Sequence, residues 1–146
     1  MQNLESSSTK NKKIKLDFKD SKYATGRRKR SIAKVWVKKG SGKIHVNGVK
    51  RNEYFKRPVH QIIVTRPLEI SEVASNYDVK CSVKGGGLSG QAGAIILGIS
   101  KALIAHDENL KKSLKKDKLT TRDSRVVERK KYGHRKARRS FQFSKR

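Results

Sequence analysis

The chain has 146 residues, of which 34% are hydrophobic, and it contains one cysteine. This amount of apolar material fills one modest core and not two, and a single cysteine excludes an intramolecular disulfide. The 38 Lys or Arg residues against 12 acids give a formal net charge of +26. The repulsion among so many positive charges opposes a compact isolated chain, so the composition points to a polyanionic partner such as nucleic acid.

The positive charge is unevenly distributed along the chain. Residues 21–66 hold 14 cations and one acid, and residues 122–146 hold eleven cations and two acids. We predict a disordered N-terminal extension over residues 1–20, an α+β domain over 21–121 and an extended basic tail over 122–146. No run approaches the ~20 apolar residues of a membrane helix, and the N-terminus lacks the apolar centre of a secretory signal. We therefore expect an intracellular protein without a membrane partner.

The first predicted elements are strands. Four consecutive cations at residues 27–30 lead into residues 33–38, where apolar and polar side chains alternate as in a half-buried strand. A Gly-Ser-Gly turn at residues 40–42 and two inward apolar residues within 44–46 predict a second strand that forms a hairpin with the first. His45 falls on the outward phase of this second strand, so we expect it at the surface.

The segment that follows predicts short helices. Residues 49–55 suit a turn or a short helix that Pro58 ends. Residues 59–66 suit either a helix face or a strand, and we favour a short helix. Pro67 fits the first turn of a further helix that continues to about residue 74.

The centre of the chain combines the clearest strand with the clearest helix. Residues 77–84 alternate strictly, and after the glycines at 85–87 the apolar residues of 88–104 recur at steps of three, four and seven. Gly93 and Gly98 weaken this helix by roughly 1 kcal/mol each relative to alanine, which indicates that another backbone comes close there. The helix is therefore predicted to lie flat on the sheet.

The last predicted helix covers residues 108–116, with Asp107 as its N-cap. In the tail beyond it, Tyr132, Phe141 and Phe143 are interleaved with cations. This combination suits RNA, because cations reach phosphates while rings stack on unpaired bases. A solvated, non-specific polycation is the alternative that composition leaves open. The two acids of the tail are expected to pair with nearby arginines.

The glycine run formally satisfies the G-x-G-x-x-G pattern of dinucleotide-binding loops, but no parallel strand ending in an acid follows the helix. Two interpretations remain: Lys84 and the glycine N–H groups accept RNA phosphates at the helix N-terminus, or the glycines only allow a tight turn. The four histidines are scattered, and Cys81 lies on the inward phase of its strand, as a packed thiol would. We therefore predict no active site, no cofactor and no metal.

Three segments in order, residues 24–48, 84–103 and 121–146, resemble the bacterial-type small-subunit ribosomal protein nine family. The central one reads KGGGLSGQAGAIILGISKAL and the last one ends in FSKR. The resemblance implies a two-layer α+β fold that contains a left-handed βαβ unit, with a single four-stranded sheet and helices on one face, like the second domain of ribosomal protein five.

The resemblance also implies a function. The protein would be a structural constituent of the small-subunit head. It would support translation without enzymatic activity or a small-molecule substrate. The expected partners are small-subunit rRNA, neighbouring head proteins and the anticodon stem-loop of the P-site tRNA, which the tail would contact through Ser144, Lys145 and Arg146. The expected location is the cytoplasmic ribosome rather than an organellar one. The cations expected to contact rRNA are Arg27, Arg28, Lys29, Arg30, Lys50, Arg51, Lys84, Arg122, Arg125, Arg129, Lys130, Lys131, Arg135, Lys136, Arg138 and Arg139.

Two other classes of protein share parts of this pattern. A free nucleoid-type DNA-binding protein has the same charge, but it would bind duplex DNA as tightly as structured RNA. A dinucleotide-dependent enzyme would use the glycine run and would bind its cofactor saturably.

Overall fold

The computed structural model of the protein describes residues 18–145. The predicted N-terminal extension lies outside these residues except for 18–20, and Arg146 also lies outside them. The described part is an α+β fold, as predicted, with one five-stranded sheet. The strands are β1 (Lys22–Arg28), β2 (Ser31–Lys39), β3 (Ile44–Val46), β4 (Val49–Lys50) and β5 (Tyr77–Lys84). The helices are α1 (Arg51–Tyr54), α2 (Pro58–Ile70), α3 (Leu88–His106) and α4 (Leu110–Lys116).

The strands follow the order β1-β2-β5-β3-β4, in which β2 is antiparallel to both β1 and β5 while β3 is parallel to β5. The predicted hairpin between β2 and β3 is therefore wrong, because β5 lies between them. Asp78 of β5 holds the connection between β2 and β3 in place, since its Oδ1 accepts hydrogen bonds from the N–H groups of Ser41 (2.9 Å) and Lys43 (2.8 Å). The sheet also has five strands rather than four. The residues before the Lys29–Arg30 turn form β1, and Val49–Lys50, predicted as part of a turn or short helix, form β4 against β3.

Helix α3 lies flat across β1, β2 and β5, as its glycines predicted. A Cβ at Gly26 would overlap the carbonyl oxygen of Ala94, and one at Gly98 would lie 2.5 Å from a methyl carbon of Val35. By length and composition alone α3 is long and apolar enough to cross a membrane, contrary to the expectation that no run approaches this length. Two-thirds of it is buried inside the domain, where it forms the core together with the inward faces of the strands.

The region between β4 and β5 differs from the sequence prediction. Pro58 begins α2 instead of ending the preceding segment, and the helix continues through Pro67 to Ile70 without a break. Proline is well suited to the first helical position, since its missing N–H has no partner there. The prediction of two separate helices is wrong because burial of Val64 and Leu68 holds one continuous helix around the proline.

Two smaller predictions are also corrected. His45 is 6% exposed instead of lying at the surface, and this burial lowers the pKa of its imidazole. Asp107 ends α3 rather than capping the next helix, and α4 has Asn109 as its N-cap residue. Asp107 still supports that turn, since its Oδ1 accepts a hydrogen bond from the Asn109 N–H at 3.1 Å.

Candidate nucleic-acid interface

The four consecutive cations at residues 27–30 are divided by the alternation of the β1–β2 hairpin. Arg27 is exposed on the face of β1 that points away from α3, while Arg28 lies half-buried on the other side. Lys29 and Arg30 form the exposed turn, and Lys29 adopts a left-handed backbone with φ of 50°. The run thus supplies three different surfaces: one on each face of β1 and one at the turn.

The glycine loop between β5 and α3 is packed against this turn. Gly85 and Gly86 have φ of 76° and 62°, a region that side-chain-bearing residues rarely adopt. A Cβ at Gly85 would lie 2.6 Å from the carbonyl oxygen of Arg30, and one at Gly86 would overlap the hydroxyl of Ser31. That hydroxyl donates a hydrogen bond to the Gly85 carbonyl at 3.0 Å. The first two glycines are therefore required by packing.

Gly87 differs from its two neighbours. Its backbone is extended, with φ of −102°, and a Cβ placed on it would meet nothing within 4 Å. Gly87 is also the N-cap residue of α3, and no side chain caps this helix end. The N–H groups of the first turn of a 19-residue helix are thus left for an external acceptor, at the end where the helix dipole favours an anion.

Gln91 braces the loop from the side. Its Nε2 donates to the Gly85 carbonyl at 3.2 Å, and its Oε1 accepts a hydrogen bond of 2.8 Å from the Tyr54 hydroxyl. Whether Gln91 touches RNA or only shapes the turn is open from the sequence. These contacts occupy both ends of its amide, so its part in the structure is to hold the turn.

An open cleft of about 690 Å³ lies in front of the glycine loop, and we call it the glycine cleft. It is formed by the β1–β2 turn, the start of α2, the glycine loop and two tail residues. Its lining residues are Lys29, Arg30, Ser31, Arg57, His60, Gly86, Gly87, Leu88, Ser89, Gly90, Val126 and Val127. The lining thus contains three cations and no acid.

His60 closes the floor of the glycine cleft. It is 7% exposed, and its Nε2 shares a hydrogen bond of 3.0 Å with the Ser89 hydroxyl at the start of α3. Its Nδ1 is buried and has no hydrogen-bond partner among the described residues. Arg57 is a cleft cation that the sequence analysis missed. The signal for it was the Lys-Arg-Pro run, which places Arg57 at the N-cap of α2 once Pro58 is taken as the first helical residue.

The remaining domain cations that were predicted to bind RNA lie outside this cleft. Lys84 is exposed at the end of β5, paired in register with Ile32, so it does not line the cleft beside the glycine N–H groups. Lys50 and Arg51 lie at the other end of the sheet, where with Lys43 they line a smaller groove of about 260 Å³. The fold therefore does not bring Lys50 and Arg51 together with the β1–β2 turn, and it places Lys84 in the same cross-strand row as Ile32 and Arg27.

The basic tail is joined to the domain by an ion pair. Arg28 passes over Gly93 of α3, where a Cβ would overlap the Arg28 side chain, and its Nη2 lies 3.4 Å from Asp123 Oδ2. Asp123 also accepts hydrogen bonds from Arg125, which hold the pKa of the Asp123 carboxyl well below its usual range, with a smaller contribution from Arg28. The predicted pairing of the tail acids with arginines is confirmed here.

Beyond this anchor, residues 122–145 contain no helix or strand. Glu128 pairs with Arg138 at 2.6 Å, and this hydrogen-bonded contact lowers the pKa of the Glu128 carboxyl. Arg135 lies over the Phe141 ring, 5.4 Å from its centroid. The other predicted RNA contacts of the tail are exposed: Arg122, Arg129, Lys130, Lys131, Lys136, Arg139, Ser144 and Lys145. The extended course of the tail stays a prediction.

Three observations bear on the catalytic and metal chemistry of the described residues. Burial raises the pKa of the Cys81 thiol, which holds it in the protonated, unreactive form. Within residues 18–145, no group of three His, Cys, Asp or Glu residues is placed to hold a metal ion. After α3 the described chain continues into α4 and the tail without another strand, so a dinucleotide-binding unit is not completed.

A small α+β domain with an apolar central helix, cation-lined clefts and a basic tail defines a protein built to bind the phosphates of a nucleic acid. The family model for ribosomal protein S9/S16 matches residues 26–146. The chain therefore belongs to the ribosomal protein S9/S16 family. It is a structural protein of the small ribosomal subunit, and it binds rRNA and takes part in translation.

Proposed function

We propose that the glycine cleft is a main rRNA contact of this protein and receives phosphates of the RNA backbone. The observation that carries the proposal is the combination at one place of an uncapped α3 N-terminus and three cations without an acid. Backbone N–H groups at a helix start and arginine side chains are both strong phosphate ligands. The cleft volume also lies within the range of ~300–1,000 Å³ that is usual for ligand sites.

Gly87→Ala tests this proposal. Because a Cβ at Gly87 meets no protein atom within 4 Å, the substitution adds a methyl group beside the cleft without a clash inside the protein. If phosphate approaches the loop, the affinity for a small-subunit rRNA fragment falls while the free energy of unfolding changes little. If the glycines only allow a tight turn, the affinity stays at the wild-type value, which would refute the proposal. Arg57→Gln provides a second test of the same cleft.

We further propose that the protein lies in the head of the small subunit of the cytoplasmic ribosome and that the end of its tail contacts the P-site tRNA. The family resemblance of the FSKR ending supports this assignment for Ser144, Lys145 and Arg146. The chain from the Asp123 anchor to the last residue is long enough to span roughly 75 Å when extended. Each charge-assisted hydrogen bond to a tRNA phosphate contributes about 1.5–3 kcal/mol gross, which biases occupancy without reading the anticodon.

Deletion of residues 144–146 tests the tRNA contact. Small subunits should assemble normally, because the domain and the rest of the tail remain, but tRNA should dissociate faster from the P site. The matched control is Lys130→Gln with Lys131→Gln, which removes two tail charges at a distance from the end. Equal tRNA dissociation rates for the truncated and the wild-type ribosomes would rule out the proposed role of these residues.

A filter-binding comparison separates this function from that of a general DNA-binding protein. At moderate salt the proposal expects tighter binding to structured rRNA than to duplex DNA of equal length. Equal affinities would favour the nucleoid-type alternative, since non-specific binding depends mainly on phosphate density and salt.

A further inference from the structure

The face of the sheet that points away from α3, which we call the open face, carries its own ordered set of side chains. The strand register places Trp36 of β2 between Tyr23 of β1 and Lys80 of β5. On one side the next row is Thr25, Lys34 and Ser82, followed by Arg27, Ile32 and Lys84; on the other side Lys38 of β2 is paired with Asp78 of β5. Because side chains alternate along a strand, all of these point to the same side of the sheet.

Two aromatic rings lie side by side on the open face, that of Trp36 half-buried and that of Tyr23 exposed on the edge strand. The ring centroids of Tyr23 and Trp36 are 5.3 Å apart, and Tyr23 is 50% exposed. On the opposite face of the same strand, Val35 and Val37 are completely buried against α3. The domain thus satisfies its core without these rings, and the pair presents aromatic surface to the outside.

Positive charge predominates around this aromatic pair. Lys80 Nζ lies 5.8 Å from the Trp36 ring centroid, the exposed Lys34 lies in the adjacent row on one side, and Lys38 lies beside Asp78 in the row on the other side. The exposed Arg27 lies one row beyond Lys34. Asp78 is the one acid in β1, β2 and β5, and its Oδ1 already accepts hydrogen bonds from two backbone N–H groups. The open face therefore offers stacking surfaces in a cationic field, which is the chemistry that binds single-stranded nucleic acid.

We propose that the open face binds an unpaired segment of rRNA, whose bases stack on Tyr23 and Trp36 while its phosphates contact the exposed Arg27, Lys34 and Lys84. A duplex does not expose base faces to a flat sheet, so the rings select an unpaired strand. The proposal deepens the rRNA binding of the family and rests on residues that do not line the glycine cleft. Stacking on an aromatic side chain strengthens binding by roughly 5- to 150-fold per base.

Trp36 is the only tryptophan in the chain, so its fluorescence reports directly on this face. The experiment titrates the full-length protein with a single-stranded RNA of about ten nucleotides and with an abasic oligomer of the same length and phosphate number. We expect the RNA to quench Trp36 and to bind more tightly than the abasic oligomer. Equal quenching and equal affinity for the two oligomers would overturn the proposal, because charge alone would then explain binding.

Tyr23→Leu gives an independent test that keeps the Trp36 signal. The affinity for the base-bearing RNA should fall by roughly 5- to 150-fold, while the affinity for the abasic oligomer stays the same. Tyr23→Phe is the matched control, because it keeps the stacking ring and removes only the hydroxyl that contacts Thr25 Oγ1, so its RNA affinity should stay at the wild-type value. An unchanged RNA affinity of Tyr23→Leu would contradict the proposal. If Tyr23→Leu weakens binding and Gly87→Ala does not, the glycine-cleft proposal fails and the open-face proposal stands.

The same question can be asked in assembled subunits. Ultraviolet crosslinking followed by mass spectrometry should link the peptide that contains Tyr23 or Trp36 to an rRNA nucleotide. A crosslink from these rings to another ribosomal protein would show that the open face is a protein interface, and the proposal would be wrong.

Discussion

The first two glycines of the 85–87 run should be indispensable for stability, whereas the third should not. In Gly86→Ala the new side chain must adopt φ near 62°, which costs about 1–2 kcal/mol for an L-residue. The added methyl group also overlaps the Ser31 hydroxyl, which must then leave its hydrogen bond to the Gly85 carbonyl at a cost of about 0.5–1.5 kcal/mol. The free energy of unfolding should therefore fall by about 1.5–3.5 kcal/mol.

A double-mutant cycle separates the two contributions. In a Ser31→Ala background the hydroxyl and its hydrogen bond are already absent, so Gly86→Ala should cost only the backbone part, about 1–2 kcal/mol. Gly87→Ala serves as the matched control. It should change stability by less than about 1 kcal/mol, since a weaker N-cap and a less flexible unfolded chain act in opposite directions.

Urea unfolding followed by Trp36 fluorescence gives the free energy of unfolding of the wild type and of all four variants: Gly86→Ala, Gly87→Ala, Ser31→Ala and the double variant Ser31→Ala with Gly86→Ala. The measurement is made in about 0.5 M KCl, where screening shortens the range of the chain's self-repulsion. Our reasoning about the loop would be refuted if Gly86→Ala were as stable as Gly87→Ala, or if the cost of Gly86→Ala were the same with and without the Ser31 hydroxyl.

Three further predictions concern the tail, acid stability and salt. Gly93→Ala should displace Arg28 from Asp123 and speed tryptic cleavage after Arg122 and Arg125, as Asp123→Asn should, while Glu128→Gln leaves the rate at these bonds unchanged. Partial burial would raise the pKa of the Asp78 carboxyl, but hydrogen bonds from the N–H groups of Lys43 and Ser41 lower the pKa overall. The charged form of Asp78 therefore stabilises the fold above about pH 4, and this contribution is lost as the pH falls further. Urea midpoints between about pH 2.5 and 6 should thus depend less on pH in Asp78→Asn than in the wild type. If about ten cations neutralise rRNA phosphates, a plot of log binding constant against log salt concentration should have a slope of roughly −7 to −9. The double variant Arg30→Gln with Arg57→Gln should make this slope shallower by about 1.4–1.8. An unchanged slope would exclude these two arginines from phosphate contact.

The centre of the fold could be predicted from the sequence because local pattern and tertiary burial agree there. Every inward residue of β5, from Tyr77 to Val83, is buried, and the apolar stripe of α3 faces the sheet. Gly98 marked a close approach of another backbone, and the structure has β1 at that place, with the Gly26 nitrogen 3.4 Å from the Cβ position of Gly98.

Strand β1 could not be predicted because its inward face is not hydrophobic. The residues that point toward α3 include Ala24, Gly26 and Arg28, and Gly26 is required because the backbone of α3 passes directly above it. A strand that packs through its backbone shows no alternation of large apolar residues. The order of the strands was missed for a different reason. The pairing of β3 with β5 is non-local, whereas turn signals report only on neighbouring segments.

The candidate interface was predictable in composition but not in arrangement. Cationic runs identify residues that can reach phosphates, yet strand alternation sends Arg27 and Arg28 to opposite faces of the sheet. Ion pairs then engage Arg28 and Arg125 with Asp123, and Arg138 with Glu128. Such pairs exist only after folding, so counting charges along the chain overstates the cations that are free for RNA.

The glycine triplet shows how one short run can serve both packing and binding. Gly85 and Gly86 satisfy the turn, because their left-handed backbones bring the loop against Arg30 and Ser31 where no Cβ fits. Gly87 has an ordinary backbone and open space around it, so the turn alone gives no reason for glycine at this position. Our proposal supplies a reason: a phosphate that approaches the uncapped N–H groups of α3, Arg30 and Arg57 from outside needs the space that a side chain at this position would occupy. The stability and RNA affinity of Gly87→Ala should therefore respond differently, whereas those of Gly86→Ala should fall together.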